Sequence, residues 1–324
     1  LAALETVLDR SPEHPLAIHL YIHAVEASSQ PERAEAPADN LANLVPGAGH
    51  LVHMPSHIYW RVGRYADASE ANVKAAAVDE AYIAACNAQG FYPAAYYPHN
   101  IHFLWAASSM EGRSAVAIEA ARKVAANVRI EMIEEFPGVE FFNTIPLLAL
   151  TQFGRWDEVL AEPQPPANLE YSNAIWHYVR ATAFAQQGDV QAARSEYEKF
   201  SPLRDETDVV FLDSIYYPAT MLLTIADALI QGEIAMAEER YDDAIGFFRV
   251  AVDTQDELPY TEPPFWYYPT RHSLGKAMLT GGDAAGAETV YRTDLEQYPR
   301  NGWSLYGLIQ SLEAQGKDAS GIQE

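Results

Sequence analysis

A single cysteine, Cys86, rules out an internal disulfide and any zinc site built from thiolates. It sits in an alanine-rich stretch, where it reads as a small buried residue of a helix. Basic residues are also scarce: 21 Lys and Arg stand against 45 Asp and Glu, a formal net charge of −24. Such a surface repels phosphate backbones, and no Lys/Arg cluster offsets this, so no nucleic-acid partner is expected. No uninterrupted apolar run approaches the ~20 residues of a membrane-spanning helix, so no membrane insertion is expected either. Nucleophile elbow, glycine-rich phosphate loop, Cys–His pair and the zinc-protease spacing His-Glu-x-x-His are all missing. The chain begins at Leu1, and the stretch to Asp9 reads as helix rather than as a charged-then-apolar leader. A soluble piece of a longer or processed protein is the expectation, and neither compartment nor oligomeric state is legible.

What is present is a recurring loop. Gly63-x-Tyr65-x-x-Ala68, with Ala75 further on, has counterparts at Gly112 (Ala117), Gly154 (Trp156), Gly188 (Ala193, Tyr197), Glu239 (Tyr241, Ala244, Phe248), Gly282 (Ala287, Tyr291, Pro299) and Gly316. A degenerate copy starts at Ser29, with Ala34 and Pro46 following. Successive anchors lie 34, 49, 42, 34, 51, 43 and 34 residues apart, a 34-residue unit with insertions. The insertions fall at 91–97, 162–168, 201–208 and 258–268, and their Pro- and aromatic-rich composition predicts ordered loops packed on the repeats. Tyr-Tyr-Pro at 96–98, 216–218 and 267–269 precedes helical patterns, with proline suited to a first helical turn.

This pattern resembles the tetratricopeptide repeat (TPR) family, whose unit is a helix-turn-helix with small residues at the helix crossing and a closing proline. The segments His19-Leu-x-x-His23 and His53-Met-Pro-Ser-His57-Ile-Tyr59 look like those of longer bacterial TPR proteins, and the likeness lies with their C-terminal part. The resemblance implies an all-α, right-handed solenoid of about seven to eight helix pairs over 1–324. Its first helices would line a concave groove of the kind that binds peptides or proteins. Within it, 1–130 would hold His-rich repeats and 131–324 further repeats with ordered insertions.

Eight of the ten histidines lie in the first 102 residues. Counted back from the anchors at Ser29, Gly63 and Gly112, His50 and His99 lie at offset 13, and His19, His53 and His102 at 10. His23 and His57 lie at offset 6, and Glu26 at 3. Steps of three and four return to one helix face, so seven of the eight share one stripe, where chance would place about one. His14, His177 and His272 read as hydrogen-bonded packing residues; seven imidazoles on three consecutive helices do not.

Imidazoles at i and i+4 can chelate one ion, and packed helices ~8–10 Å apart allow ligands from neighbouring helices to meet. The expected metal ligands are therefore His19, His23, Glu26, His53, His57, His99 and His102, with His23, His53, His57 and His102 as the shared central set. Imidazole with a carboxylate suits Zn, Fe or Cu, one or two ions per chain. Pro55 either starts a helix or bends one between His53 and His57. His50, Trp60 and Arg61 are placed on the groove wall, Arg61 as an anion contact, whereas Tyr21, Tyr59 and Trp105 belong to the core. The leading expectation is a metal-binding TPR protein, whose ion could activate water or dioxygen with Glu26 as ligand or base. The alternative is a scaffold that holds a peptide or protein partner without catalysis.

Overall fold

The computed structural model describes all residues except 89, 91, 129, 205, 206, 323 and 324. Among the described residues there is no strand, and seven helix pairs follow one another along the chain. The first helices of these pairs begin at Pro15, Gly49, Tyr97, Ile145, Glu170, Ala219 and Arg271, and an eighth first helix spans Gly302–Ala314. The chain divides into two compact units. One comprises 1–127 with 297–302, the other 128–296 with 303–324.

The loop anchors explain the pairing. Gly63, Gly112, Gly154, Gly188, Glu239, Gly282 and Gly316 all have positive φ, between 59° and 92°. At each, the next residue's N–H reaches back to the carbonyl five positions earlier: Arg64 to Tyr59 (2.8 Å), Arg113 to Ser108 (2.9 Å), Arg240 to Ala235 (2.9 Å), Lys317 to Leu312 (2.9 Å). This closure satisfies carbonyls that the helix end would leave unpaired and turns the chain for the second helix. Glycine enters the left-handed region without steric cost, which is why it recurs there.

In the first unit, helix Tyr65–Cys86 packs against Gly49–His53, Pro55–Arg61 and Tyr97–Met110. Its last turns run beyond these partners, so Cys86 is exposed rather than buried as the sequence suggested. In the second unit, helix Ala219–Ala237 has the length and mean hydropathy (1.3) of a membrane-crossing segment. It carries Asp227 and Glu233, however, and most of it is buried within the unit, as a core helix is. The stretch 258–268 is packed as expected, with Trp266 buried against Tyr178. The stretch 162–168 is more exposed but tied down: Trp176 donates to the Glu162 carbonyl (3.1 Å) and Asn173 to that of Pro166 (2.8 Å). The insertion expected at 91–97 starts on a residue outside those described, as do 205 and 206 of 201–208.

Glu239 is the one non-glycine among these seven anchors, at φ 59°, and it is exposed. Holding an L-residue in that region costs roughly 1–2 kcal/mol. Glu239→Gly should therefore stabilise the protein by about 1 kcal/mol in urea unfolding. Gly188→Ala, where an added Cβ meets open space but φ is 81°, should cost a similar amount.

Candidate functional site

Three short segments carry the histidines together. His14 accepts the Ala17 N–H (3.2 Å) and Pro15 fills the first turn, starting helix Pro15–Glu26. That helix buries Ala17, Ile18, Tyr21, Ile22 and Val25, which leaves His19, His23 and Glu26 on the adjoining stripe. The second segment is Gly49–His53 followed by Pro55–Arg61. Met54 between them keeps helical angles (φ −50°, ψ −37°). Pro55 therefore interrupts the hydrogen-bond ladder by lacking an N–H, while His50, His53 and His57 continue along one face. The third is Tyr97–Met110, with Pro98 in its first turn and His99 and Phe103 one turn apart.

Asp79, fully buried on helix Tyr65–Cys86, fastens the third of these segments and lies close against the second. It accepts hydrogen bonds from Tyr92 Oη (2.7 Å) and from Asn100 Nδ2 (2.7 Å), next to His99. A Cβ on Gly49 would stand 1.9 Å from Asp79 Oδ1, so only glycine lets the His50-bearing segment sit this close.

The ring nitrogens then converge. In the inner group, His53, His57 and His99 each offer a nitrogen, all within 4.8 Å of one another. His53 Nε2 is 2.8 Å from His57 Nε2 and 3.1 Å from His99 Nε2. His19, His23 and His50 form an outer group of the same kind, with His19 Nε2 and His50 Nε2 3.2 Å apart. Glu26 stands between the groups: Oε1 is 3.1 Å from His23 Nδ1 and Oε2 is 2.6 Å from His57 Nδ1. His53 is fully buried, whereas about 40% of the His23 side chain is exposed, so the array runs from solvent inward.

The tautomers follow from the partners. Asn72 Nδ2 donates to the Ala68 carbonyl (2.8 Å), so its Oδ1, 2.6 Å from His53 Nδ1, is an acceptor. His53 thus carries its proton on Nδ1 and a lone pair on Nε2. Glu26 Oε2, in ion-pair contact at 2.6 Å but not aligned as a hydrogen bond, favours a proton on His57 Nδ1. Two imidazole lone pairs facing each other at 2.8 Å repel; a cation between them makes the contact favourable. That cation is either a second proton on His57, paired with Glu26, or a metal ion.

Burial sets the charge states. It pushes the His53 and His99 rings well below the ordinary imidazole value, with the neighbouring His57 adding to it. His50 falls to about 4 through burial and the proximity of His19, His57 and His23. Burial alone would raise the Glu26 carboxyl, but hydrogen bonds from His23 and His57 hold it at about 2. The His50, His53 and His99 rings are therefore neutral at neutral pH, the form in which imidazole binds a metal.

The expected set is largely, but not wholly, brought together. His102 lies outside both the inner and the outer group and outside a third, His23, Glu26 and His57, found among the described residues. It is buried and stacks on Trp105, centroids 5.2 Å apart. His99, one turn earlier, takes the place expected for it beside His53. His50, placed on a wall from sequence, belongs to the outer group itself. Trp60 is buried and meets Phe103 edge-on, so it backs the site from behind. Arg61 donates to the backbone carbonyls of Glu26 and Ser28, closing the end of helix Pro15–Glu26. Tyr21, Tyr59 and Trp105 are core residues. His14, His177 and His272 have ordinary hydrogen-bonding roles, His177 with Glu196 (2.6 Å) and His272 with Asp294 (3.3 Å). Sequence reasoning missed Asn72 and Phe103. Asn72 is a polar residue, with Ser69, in the otherwise apolar Ala68–Ala76 face, and Phe103 packs on the rings of both His53 and His57 (5.2 Å each).

Repeated helix pairs closed by left-handed loops define a TPR-like helical-repeat protein. Neither a protein-family model nor a curated protein matches the chain. Among solved structures, it is similar to a chain of Naa15/Naa10 bound to HypK, at 16% identity and TM-score 0.35 over 96% of its length. It spans 41% of that chain. It is also similar to Acl4, the assembly chaperone of RpL4, at 14% identity and TM-score 0.31. That match covers 94% of this chain and 97% of Acl4. A third is the P58(IPK) TPR domain, at 12% identity and TM-score 0.26, covering 97% and 83%.

Asn72→Ala removes the principal acceptor of the His53 Nδ1 proton, leaving Ser56 Oγ at 3.3 Å. Leaving a buried donor poorly satisfied costs about 1–3 kcal/mol. Urea unfolding with a chelator present should show a loss of that size, independent of metal.

Proposed function

We propose that this chain is a helical-repeat scaffold protein that carries a transition-metal site in its first unit, with His53, His57 and His99 as ligands. One observation carries the reading: three imidazole nitrogens converge at 2.8 and 3.1 Å, that of His53 with its lone pair set by Asn72 and that of His57 on a ring whose other nitrogen faces the Glu26 carboxylate. Outer partners that fix the tautomer and orientation of a ligating imidazole are typical of metal sites. The ligand set is nitrogen only, which suits Zn or Cu and disfavours Mg and Ca. The protein's strongly negative charge draws cations toward it, and the half-exposed outer histidines give an ion a way in. A three-imidazole site leaves a coordination position for water or a small ligand, which is the opening for hydrolytic or oxygen chemistry. Glu26, engaged with His23 and His57, orients rings in this reading rather than serving as a base.

The second reading is a scaffold that holds a protein or peptide partner, with one proton on His57 supplying the cation. Stacked helix pairs present extended surfaces suited to such partners, and this reading requires no metal.

Metal content separates the two. Chelator-treated protein refilled with zinc should hold the ion stoichiometrically, and His53→Ala/His57→Ala should lose it. An ion at 100 times its dissociation constant adds ~2.7 kcal/mol of stability, so the double variant should also lose the zinc-dependent rise in melting temperature. His177→Ala and His272→Ala should keep both. Wild-type zinc occupancy in the double variant, or equal depletion in His272→Ala, contradicts the metal site and leaves the scaffold reading.

A further inference from the structure

We infer that the first unit holds two metal ions side by side, the second bound by His19, His23 and His50, with Glu26 linking the two ligand sets. This rests on the reading of His53, His57 and His99 as a metal site and extends it.

The outer group is built like the inner one. Its three rings come from two different helical segments, Pro15–Glu26 and Gly49–His53, and their nitrogens lie within 4.8 Å of one another. His19 and His23, four residues apart, meet edge-on with centroids 4.9 Å apart, and His50 meets His19 at 5.1 Å. His50 Nε2 and His19 Nε2 face each other at 3.2 Å, while His50 Nδ1 is buried.

Glu26 couples the groups through both oxygens. Oε1 faces Nδ1 of His23, in the outer group, and Oε2 faces Nδ1 of His57, in the inner one. One carboxylate thereby contacts a ring of each group, and in the inner one it leaves the His57 Nε2 facing His53. Its single negative charge also offsets part of the repulsion between two neighbouring cations.

The groups are contiguous. His23 and His57 have centroids 5.4 Å apart, and His50 and His53 6.0 Å. Two ions at such adjacent positions would be near enough to share a small bridging oxygen ligand, as two-metal sites do. Both ligand sets are imidazole only, so copper and zinc are the metals of choice.

Copper(II) tests the pairing, because neighbouring copper spins couple. The full chain, stripped with a chelator, is loaded with copper(II) and freed of excess, then measured for copper per chain and by electron paramagnetic resonance. The expected result is two coppers per chain and a resonance weaker and broader than two isolated ions give. His19→Ala should hold one copper with an ordinary isolated spectrum. Glu26→Gln should still take up two, with affinity reduced about 10–100-fold. His23→Ala, at an exposed position, replaces His19→Ala should that variant's melting curve change.

Saturation of the wild type at one copper overturns the second ion and leaves the first. Two coppers with uncoupled spectra overturn their adjacency. A single copper lost in Glu26→Gln and untouched in His19→Ala assigns the ion to His23, Glu26 and His57 and overturns the two-ion arrangement. No copper or zinc bound at all removes the first site as well.

Discussion

An imidazole has two nitrogens, and once one is committed to a hydrogen-bond acceptor the direction and state of the other are fixed. The first unit of this protein is arranged around that constraint. Asn72 takes the Nδ1 proton of His53, and Glu26 stands at the Nδ1 of both His57 and His23. The Nε2 atoms of His57 and His99 then face that of His53, at 2.8 and 3.1 Å. Neighbouring residues maintain this: Asp79 holds the Asn100 turn and leaves Gly49 no room for a side chain, Arg61 closes the helix that carries Glu26, and Phe103 walls off His53 and His57.

The helix-pair architecture makes such convergence accessible from sequence spacing alone. The left-handed loops at Gly63 and Gly112 set the phase of the helices before them, so equal offsets land on equivalent faces. The earlier anchor at Ser29 is not left-handed, yet helix Pro15–Glu26 presents His19 and His23 to the same array. Histidines at 13, 10 and 6 residues before an anchor therefore meet across neighbouring helices, although they lie more than 30 residues apart in the chain. The negative charge of the chain is tolerable because so much of it is exposed, and near the site only Glu26 contributes to both histidine groups.

That phase relation is why the repeat and the histidine stripe were legible before any coordinates. It also marks where legibility stopped. Offsets name a face but not a depth: His102 shares the stripe with His99, yet it turns to stack on Trp105 while His99 reaches His53. Asn72 lies on a second helix, and nothing in the sequence says that its amide faces a ring 19 residues away. Arg61 reads as an anion contact because the surrounding sequence is acidic; that its guanidinium also closes a helix end on two backbone carbonyls is invisible in a sequence. Cys86 reads as buried because its neighbours are alanines, but the helix outruns its packing partners there.

Whether the charge at the centre of the inner group is a proton or a metal ion decides between a hydrogen-bonded scaffold core and a metal centre. Diffraction from crystals of zinc-loaded protein, collected on both sides of the zinc absorption edge, addresses this most directly. A metal site gives an anomalous peak among the Nε2 atoms of His53, His57 and His99, with zinc–nitrogen distances of ~2.0–2.1 Å. No anomalous peak there, with zinc found only at the acidic surface, would contradict it.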